Sequence, residues 1–593
     1  MTIDDTQVLI VGAGPTGLIT ACTLLAHGVS VRIVDRRPGP DDSPRATVLW
    51  SGAMECLLRV GVSEEVADAA LPLAGASYWS RRKRVGEMRF GRLEGTAFPG
   101  PLCVPQPVTE RALHARLTAL GGRVEWQAEA IGVTVRGSGA EDGSVIVALR
   151  RSDRPVERAT ARWLIGADGI DSFVRGSVGI AFEGDDGDRE LIVADGVVAG
   201  PVPLDEAQYH LTPAGILALL PLPDGGHRIL ADVPVGEGVE GAAAAGAGRT
   251  AEAGGAAGAG GAAAGPGAAE GPEEDARSAP PGEELVQRLL TERGPGRLRL
   301  RGAWWSHRLR VHGKVARTFR SGPVLLVGDA AHAHTPAGGQ GINTGLQDGF
   351  DLGWKLAAVL RGCDPALLDS YESERRSAAV QALRHAEQQA RAWQLKNPIT
   401  RAVRDAAMQS FSRTGILERQ MLPQLAQLEL DHSGSPAVAD LQGAWVLPRA
   451  VRLGWRVPDT GLIPLHGTKA TSLHRYLSAG RHALLAVGED AAGGLAARAA
   501  EALRGRGVED LVDVLWIRPE GTTSADEEDT GAEVGCDIAV VNGTPAESEV
   551  YQGGPWLVYV RPDGVVAGRA SVAGVLGLLE RLPSRHGLVR IAC

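Results

Sequence analysis

Apolar and polar positions change period along this chain, and each change marks an element. "QVLIVG" (7–12) is an uninterrupted apolar run of strand length. "PTGLITACTLLAHG" (15–28) is apolar at helical spacing and stops at Gly28, and "SVRIVD" (30–35) is a second strand. The opening is therefore β-α-β. The pattern loosens from about 60 to 105, and "VPQPVTERALHARLTAL" (104–120) then predicts a helix with Thr109 as its N-cap. Alternation through "RVEWQAEAIGVTV" and "VIVALR" predicts strands that lead into "ARWLIGADGIDSFVR" (161–175). "GILALLPLP" and "HRILADVPV", split by "DGG", predict a hairpin within a sheet over 181–236. Helix returns at "GEELVQRLLTERG", strand at "WWSHRLRVHG", and residues 365–440 are largely helical. From about 441 a compact α/β texture runs to "WLVYVRPDGVVAGRA" and a last helix, "VAGVLGLLERL".

One stretch fits neither period. Ala and Gly supply 28 of the 40 residues from 241 to 280, which leaves almost nothing to bury, so a disordered insertion is expected at about 238–280. At 593 residues the chain is long enough for two or three domains. A formal charge of −10 with no basic domain argues against a nucleic-acid partner, and "RRKR" (81–84) reads as a solvated hairpin or loop. Six scattered cysteines with no CxxC point to a reducing, cytoplasmic setting and to no metal site. The apolar N-terminus lacks a basic region and is broken by Gly12, Gly14, Pro15 and Gly17, so it reads as neither signal peptide nor membrane span.

Chemistry enters through glycine. "VGAGPTG" places Gly12, Gly14 and Gly17 as G-x-G-x-x-G between a strand and a helix that starts with Pro15 and Thr16. Such a turn lets a pyrophosphate approach unpaired N–H groups at the helix N-terminus. Asp35 ends the second strand eighteen residues after Gly17, where an acid suits a ribose hydroxyl. A dinucleotide site follows. The stretch "VLLVGDAAHAHTPAGGQGINTG" has five glycines between an apolar run and a helix, as if backbone had to approach something flat or charged.

These two motifs, together with "LIGADGIDSFVR" and its Asp168-Gly169 pair, resemble the three signatures of the class A flavoprotein aromatic hydroxylases, typified by p-hydroxybenzoate hydroxylase. "SPRAT" (43–47), "QPVTERAL" (106–113) and "SYESERR" (370–376) are similar to the actinobacterial polyketide-tailoring branch. The resemblance runs from residue 1 to about 400. It implies an α/β fold: a Rossmann-like FAD-binding domain (1–180 and 301–400), an inserted β-sheet substrate domain (181–300, joined by 76–104) and a helical connector (401–440). A thioredoxin-like α/β domain (441–593) without CxxC, and so without disulfide exchange, would follow. It also implies FAD, with Asp35 and Arg36 at the adenosine ribose, Arg45 and Gln106 near the pyrophosphate and ribityl chain, and Gly328-Asp329 on a ribityl hydroxyl. Gly339, Gly341, Ile342 and Asn343 would approach the isoalloxazine, with Pro336 on its reactive side. The helix from Gly341 would aim its N-terminus at the flavin pyrimidine edge.

The implied reaction is hydroxylation of a polycyclic aromatic polyketide through a flavin C4a-hydroperoxide, with O2 and transient NADPH or NADH as co-substrates. Arg45 and Asp168-Gly169 are the expected contacts for the nicotinamide, and no other catalytic residue is assigned. Baeyer–Villiger insertion or ring rearrangement on a similar polyketide is the alternative, and an inactive FAD-binding protein the distant one. A monomer or homodimer is expected, with no membrane partner. His332 and His334 read as structural, Trp304 and Trp305 as sheet packing. Tyr78 and Trp79 are candidates for the substrate pocket, against a preferred packing role. Gly349, where the family usually has Ala, is expected to cost the helix about 1 kcal/mol.

Overall fold

The computed structural model describes residues 6–137, 143–235, 280–334, 339–438, 451–488, 494–505, 512–518, 538–543 and 556–571. The predicted insertion up to residue 279, Pro336 and the last predicted helix lie outside the described residues.

The apolar opening run becomes the strand Thr6–Val11, flanked by the parallel strands Val31–Val34 and Arg154–Gly166; Val324–Leu326 continues the parallel set. Val8, Leu9 and Ile10 are wholly buried, which is why the run shows no alternation: both faces of a parallel sheet are covered. The antiparallel strands Glu129–Arg136 and Ser144–Arg151 extend this sheet. Helix Pro15–Ala26 packs on it, and helix Gly341–Leu360 packs on that helix in turn. The helix predicted at 104–120 spans Gln106–Ala119. Its start is set by Pro107 near the N-terminus, and Thr109 lies buried one turn inside, so Thr109 is not the N-cap.

A second, eight-stranded sheet is built on the long antiparallel pair Phe182–Ala199 and Arg299–Ala316. It continues through the predicted hairpin, Gly215–Pro221 and His227–Pro234, to Glu206–Thr212, Gly75–Ser80 and Lys83–Arg89. Here the alternation has a visible meaning. Leu217, Leu219, Ile229, Ala231 and Val233 point to one face and bury against helix Glu283–Arg293. Their neighbours Ile216, Ala218, Leu220 and Leu230 point to the other face and wall a cavity shared with the first sheet. "RRKR" forms the tip of the last hairpin, with Arg81 and Arg82 exposed at positive φ.

Helices Leu367–Trp393, Pro398–Arg413 and Ile416–Leu425 follow. The C-terminal part is a six-stranded mixed sheet whose strands Val512–Arg518, His482–Val487 and Trp556–Val560 lie side by side. Two buried ionic clusters hold it to the first domain. Arg456 makes a bidentate pair with Glu55, and Arg561 makes one with Glu374.

Candidate active site

The cavity between the two sheets has a volume of about 1480 Å3. At one end stands the glycine turn. Gly12 has φ +106°, and a Cβ there would lie 2.2 Å from the Ala167 carbonyl oxygen; at Gly17 it would lie 2.0 Å from that of Gly12. Those two glycines close strand on helix. Gly14 differs: a Cβ there would meet nothing within 4 Å, so the turn leaves open space in front of a helix start with no side-chain cap. A shaped gap at unpaired N–H groups fits a pyrophosphate. Gly12, Gly14, Pro15 and Thr16 line the cavity, and Gly17 is packed behind them.

Asp35 and Arg36 also line it. Asp35 is buried, and its four acceptor positions are in use. One oxygen accepts from Ala13 N at 2.8 Å and Arg37 Nη2 at 3.1 Å, the other from Arg37 N at 2.8 Å and Arg37 Nε at 3.1 Å. A ribose hydroxyl would therefore share Asp35 with, or displace, the Arg37 guanidinium. Arg37 escaped notice in the sequence, where only the neighbouring Arg36 was singled out.

The second glycine-rich stretch forms the opposite wall. Asp329 faces the cavity, accepts no hydrogen bond from any described residue, and has its pKa raised by burial. A carboxylate open to the cavity and without a protein donor fits a ligand hydroxyl. Gly339, Gly341 and Ile342 line the same wall. Gly328 and Asn343 do not. Gly328 sits behind the wall, where a Cβ would approach Thr16 Oγ1 to 2.7 Å. Asn343, fully buried, donates to the carbonyls of Val48 (2.8 Å) and Gly339 (2.6 Å) and accepts from Trp50 N (2.7 Å). Its amide thus clamps the helix start to the chain. His332 contacts Asp348 at 2.5 Å, and Asp348 accepts from Arg375 at 2.8 Å, an interior bracing role as expected. His334 lines the cavity, and burial lowers its pKa to about 3, so it is neutral.

Gln106 joins the helix to the loop below it: its Oε1 accepts from Ala46 N at 3.3 Å, and its Nε2 donates to Glu110 at 2.8 Å. Glu110, also in the cavity wall, was missed although it lies in the quoted "QPVTERAL"; the one-turn spacing from Gln106 was the available signal. Arg45, 63% exposed and paired with Asp41 at 2.8 Å, lines the cavity. The loop that carries it is gripped from the other sheet by Arg228, which donates to the Pro44 and Arg45 carbonyls and holds Asp195 with two bonds of 2.7 Å. Asp168 and Gly169 both line the cavity, and Asp168 accepts from Ser172 Oγ (2.5 Å) and Val174 N (3.0 Å).

On the second sheet Tyr78 faces the cavity and Trp79, one residue on, faces away to stack on His210. The pair named in the sequence is thus split by the period of the strand. Trp304 is half exposed, whereas Trp305 forms cavity wall over the Arg228 guanidinium, 5.4 Å from its ring centroid, and so does more than pack the sheet. Three acids, Asp351, Glu374 and Asp563, lie close enough to hold a metal ion, but Lys355 and Arg561 already bond to them.

Residues 5–245 and 265–386 match the model of a family described as FAD binding domain. The chain is 33% identical over 379 residues to 6-methylpretetramide 4-monooxygenase of Streptomyces rimosus, a match covering 63% of this chain and 59% of that protein. It thus spans less than two thirds of that relative's length. Dialkyldecalin synthase of Streptomyces rugosporus is 27% identical over 590 residues, covering 97% of this chain and 98% of that one. Among solved structures, the OxyS anhydrotetracycline hydroxylase from Streptomyces rimosus superposes with a TM-score of 0.70 at 26% identity, covering 98% of this chain and 99% of that one. With the glycine cradle and the open Asp329 on one cavity, these matches place the chain in the FAD binding domain family, and the relatives it is similar to include a monooxygenase and a hydroxylase of Streptomyces.

Proposed function

We propose that this chain binds FAD along the first sheet, takes reducing equivalents from NADPH or NADH, and uses O2 to hydroxylate a polycyclic aromatic polyketide. The observation that carries this reading is the continuity of one cavity, which joins the glycine cradle at Gly14 to an apolar wall formed by Ala218, Leu220 and Leu230. Gly12, Gly14, Pro15 and Thr16 take the pyrophosphate, Asp35 and Arg36 the adenosine ribose, and Asp329 the ribityl chain. Gly341 and Ile342 lie against the ring system, and Asn343 holds that helix start in place. The N–H groups of that first turn favour negative charge, an effect of typically ~0.3–1 kcal/mol. Bound FAD supplies the oxygen activation that side chains cannot.

The protein's own part is to bind, orient and keep water out. The exposed guanidinium of Arg45, with Asp168 and Gly169 on the same cavity, gives a transient nicotinamide contact. The C-terminal sheet, lacking CxxC, braces the first domain. No described helix is long and apolar enough to cross a membrane. Among the described residues, the free and buried Cys22, Cys56, Cys103 and Cys363 suit a reducing cytoplasm.

The purified protein should be yellow and should oxidise NADPH faster with one member of a panel of polycyclic phenols and quinones. Under labelled oxygen the product should gain one labelled atom. The match to dialkyldecalin synthase along nearly the whole chain favours a second reading, ring formation with FAD kept as a structural group. Bound FAD with no substrate-stimulated NADPH use, together with cyclisation of a linear polyene, would select it.

A further inference from the structure

The basic run at the tip of the last hairpin plays no part in the cavity. Strands Gly75–Ser80 and Lys83–Arg89 pair as far as Ser80 and Lys83, so Arg81 and Arg82 alone make the turn. Both have positive φ, 50° and 61°. Such a two-residue turn favours Asn-Gly, because a residue with a Cβ is strained there. Two successive arginines are kept at this tip against the turn's own preference.

Helix Pro398–Arg413 runs along the second strand of this hairpin. At its far end Ser412 Oγ accepts from Glu87 N at 3.1 Å and donates to the Glu87 carbonyl at 3.0 Å. At the tip end Arg404 reaches Ser80 Oγ at 3.4 Å. Three residues earlier stands Arg401, which is 6% exposed. Its Nε has no partner, and no described acid pairs with its guanidinium. Burial lowers its pKa, and the charges of Arg81 and Arg404 lower it further. Arg82 turns aside to the Gly296 backbone, where a Cβ would lie 3.2 Å from its Nη2, so Arg81 is the charge set against Arg401.

The acids of these two elements are spent. Asp405 accepts two bonds from Arg404, at 3.0 and 2.7 Å, and Glu87 pairs with Arg84 at 2.8 Å. A buried guanidinium without a partner, beside like charges, is unfavourable until an anion completes it. Paired guanidinium forks match the oxygens of a phosphate. We propose that Arg401 and Arg81 form a binding site for a phosphomonoester dianion. Arg404 donates to the Trp393 carbonyl, and Trp393 and Tyr78 line the cavity, so the site adjoins the cavity wall. The group arrives either free, as inorganic phosphate, or on a larger ligand, as the 2′-phosphate of NADPH. Only the second source rests on the proposed use of NADPH.

Phosphate is titrated calorimetrically into the full-length, FAD-loaded protein, with ionic strength held constant by sodium chloride. The wild type should bind it at least about tenfold tighter than acetate. R401M and R81N should each weaken phosphate at least about tenfold, with FAD content unchanged. R82G, which alters the neighbour in the same turn, should leave the affinity within about twofold. In phosphate-free buffer neither R401M nor R81N should lower the thermal midpoint, since one removes an unpaired buried charge and the other a strained turn residue; a purely structural role predicts a loss. If R401M does not retain FAD, R81N against R82G decides alone. Adenosine 2′-monophosphate binding at least about tenfold tighter than phosphate and adenosine 5′-monophosphate assigns the NADPH source, and equal affinities assign free phosphate. A wild type that binds phosphate no better than acetate, or binding that survives both R401M and R81N, overturns the proposal. Phosphate binding without NADPH oxidation removes the NADPH source and leaves the site.

Discussion

Gly14 and Gly17 share one motif and do opposite things, which makes them separable by the same substitution. A methyl at Gly17 would collide with the Gly12 carbonyl at 2.0 Å, whereas at Gly14 it would enter the open cradle. Gly17→Ala should therefore lower the thermal midpoint of the apoprotein. Gly14→Ala should leave that midpoint in place and weaken FAD binding at least about tenfold, read from flavin fluorescence quenching. Asp329 behaves like Gly14. Open to the cavity, its carboxylate is reached by solvent in the apoprotein, and with a ligand hydroxyl it gains a charge-assisted bond. Asp329→Asn should leave the apoprotein midpoint in place and weaken FAD by about 1.5–3 kcal/mol. The glycines and the acid were legible in the sequence because they sit at the ends of a strand or helix. That Asp35 would be encircled by Arg37 was not, since two adjacent arginines look alike until a backbone direction separates them.

At the scale of elements, Gly349 is better explained by packing than by helix propensity. Gly345, Gly349 and Gly353 recur every fourth residue on one face of helix Gly341–Leu360, against Thr16, Thr20 and Thr23 of helix Pro15–Ala26. A Cβ at Gly349 would lie 2.6 Å from Thr20 Oγ1 and 2.8 Å from the Thr16 carbonyl. Helix propensity alone predicts that Gly349→Ala stabilises by about 1 kcal/mol. The contact predicts a loss of about 1–3 kcal/mol from overpacking, measurable as a lower urea midpoint. The spacing of those glycines was visible in the sequence, but not that another helix crosses there. The second sheet repeats the lesson: its alternation was plain, yet nothing local said which face meets helix Glu283–Arg293 and which meets the cavity.

Across the whole molecule, the C-terminal sheet is tied to the helices that carry part of the cavity wall. Asp351, Glu374 and Asp563 meet Lys355 and Arg561 in one buried group, three acids to two bases. Removing Arg561 by Arg561→Met leaves those acids with a lone Lys355. That should cost about 3–5 kcal/mol in urea unfolding and promote loss of FAD. The excess acid has a pH signature. Burial lifts Asp351 to about 7, above its ordinary value of 3.8, so between these values the folded chain holds a proton that the unfolded chain has released. Asp351 should therefore make stability fall as pH rises from about 4.5 to 7, and Asp351→Asn should flatten that slope. Unfolding free energies at pH 5 and 7.5 for both proteins decide it.

By itself the sequence determined the FAD-binding family and the parallel sheet of its opening, because strand, turn and helix N-terminus are consecutive residues. It also determined the predicted hairpin, whose two strands and turn are contiguous. Tertiary structure decided what depends on residues far apart in the chain. It turned Tyr78 into the cavity and Trp79 out of it, set Arg228 on the Arg45 loop 183 residues away, and placed Glu374 under Arg561, 187 residues away. Hydrogen bonds and ion pairs of that kind have no period and no local motif; only the packing of sheet on sheet and domain on domain brings their partners within reach.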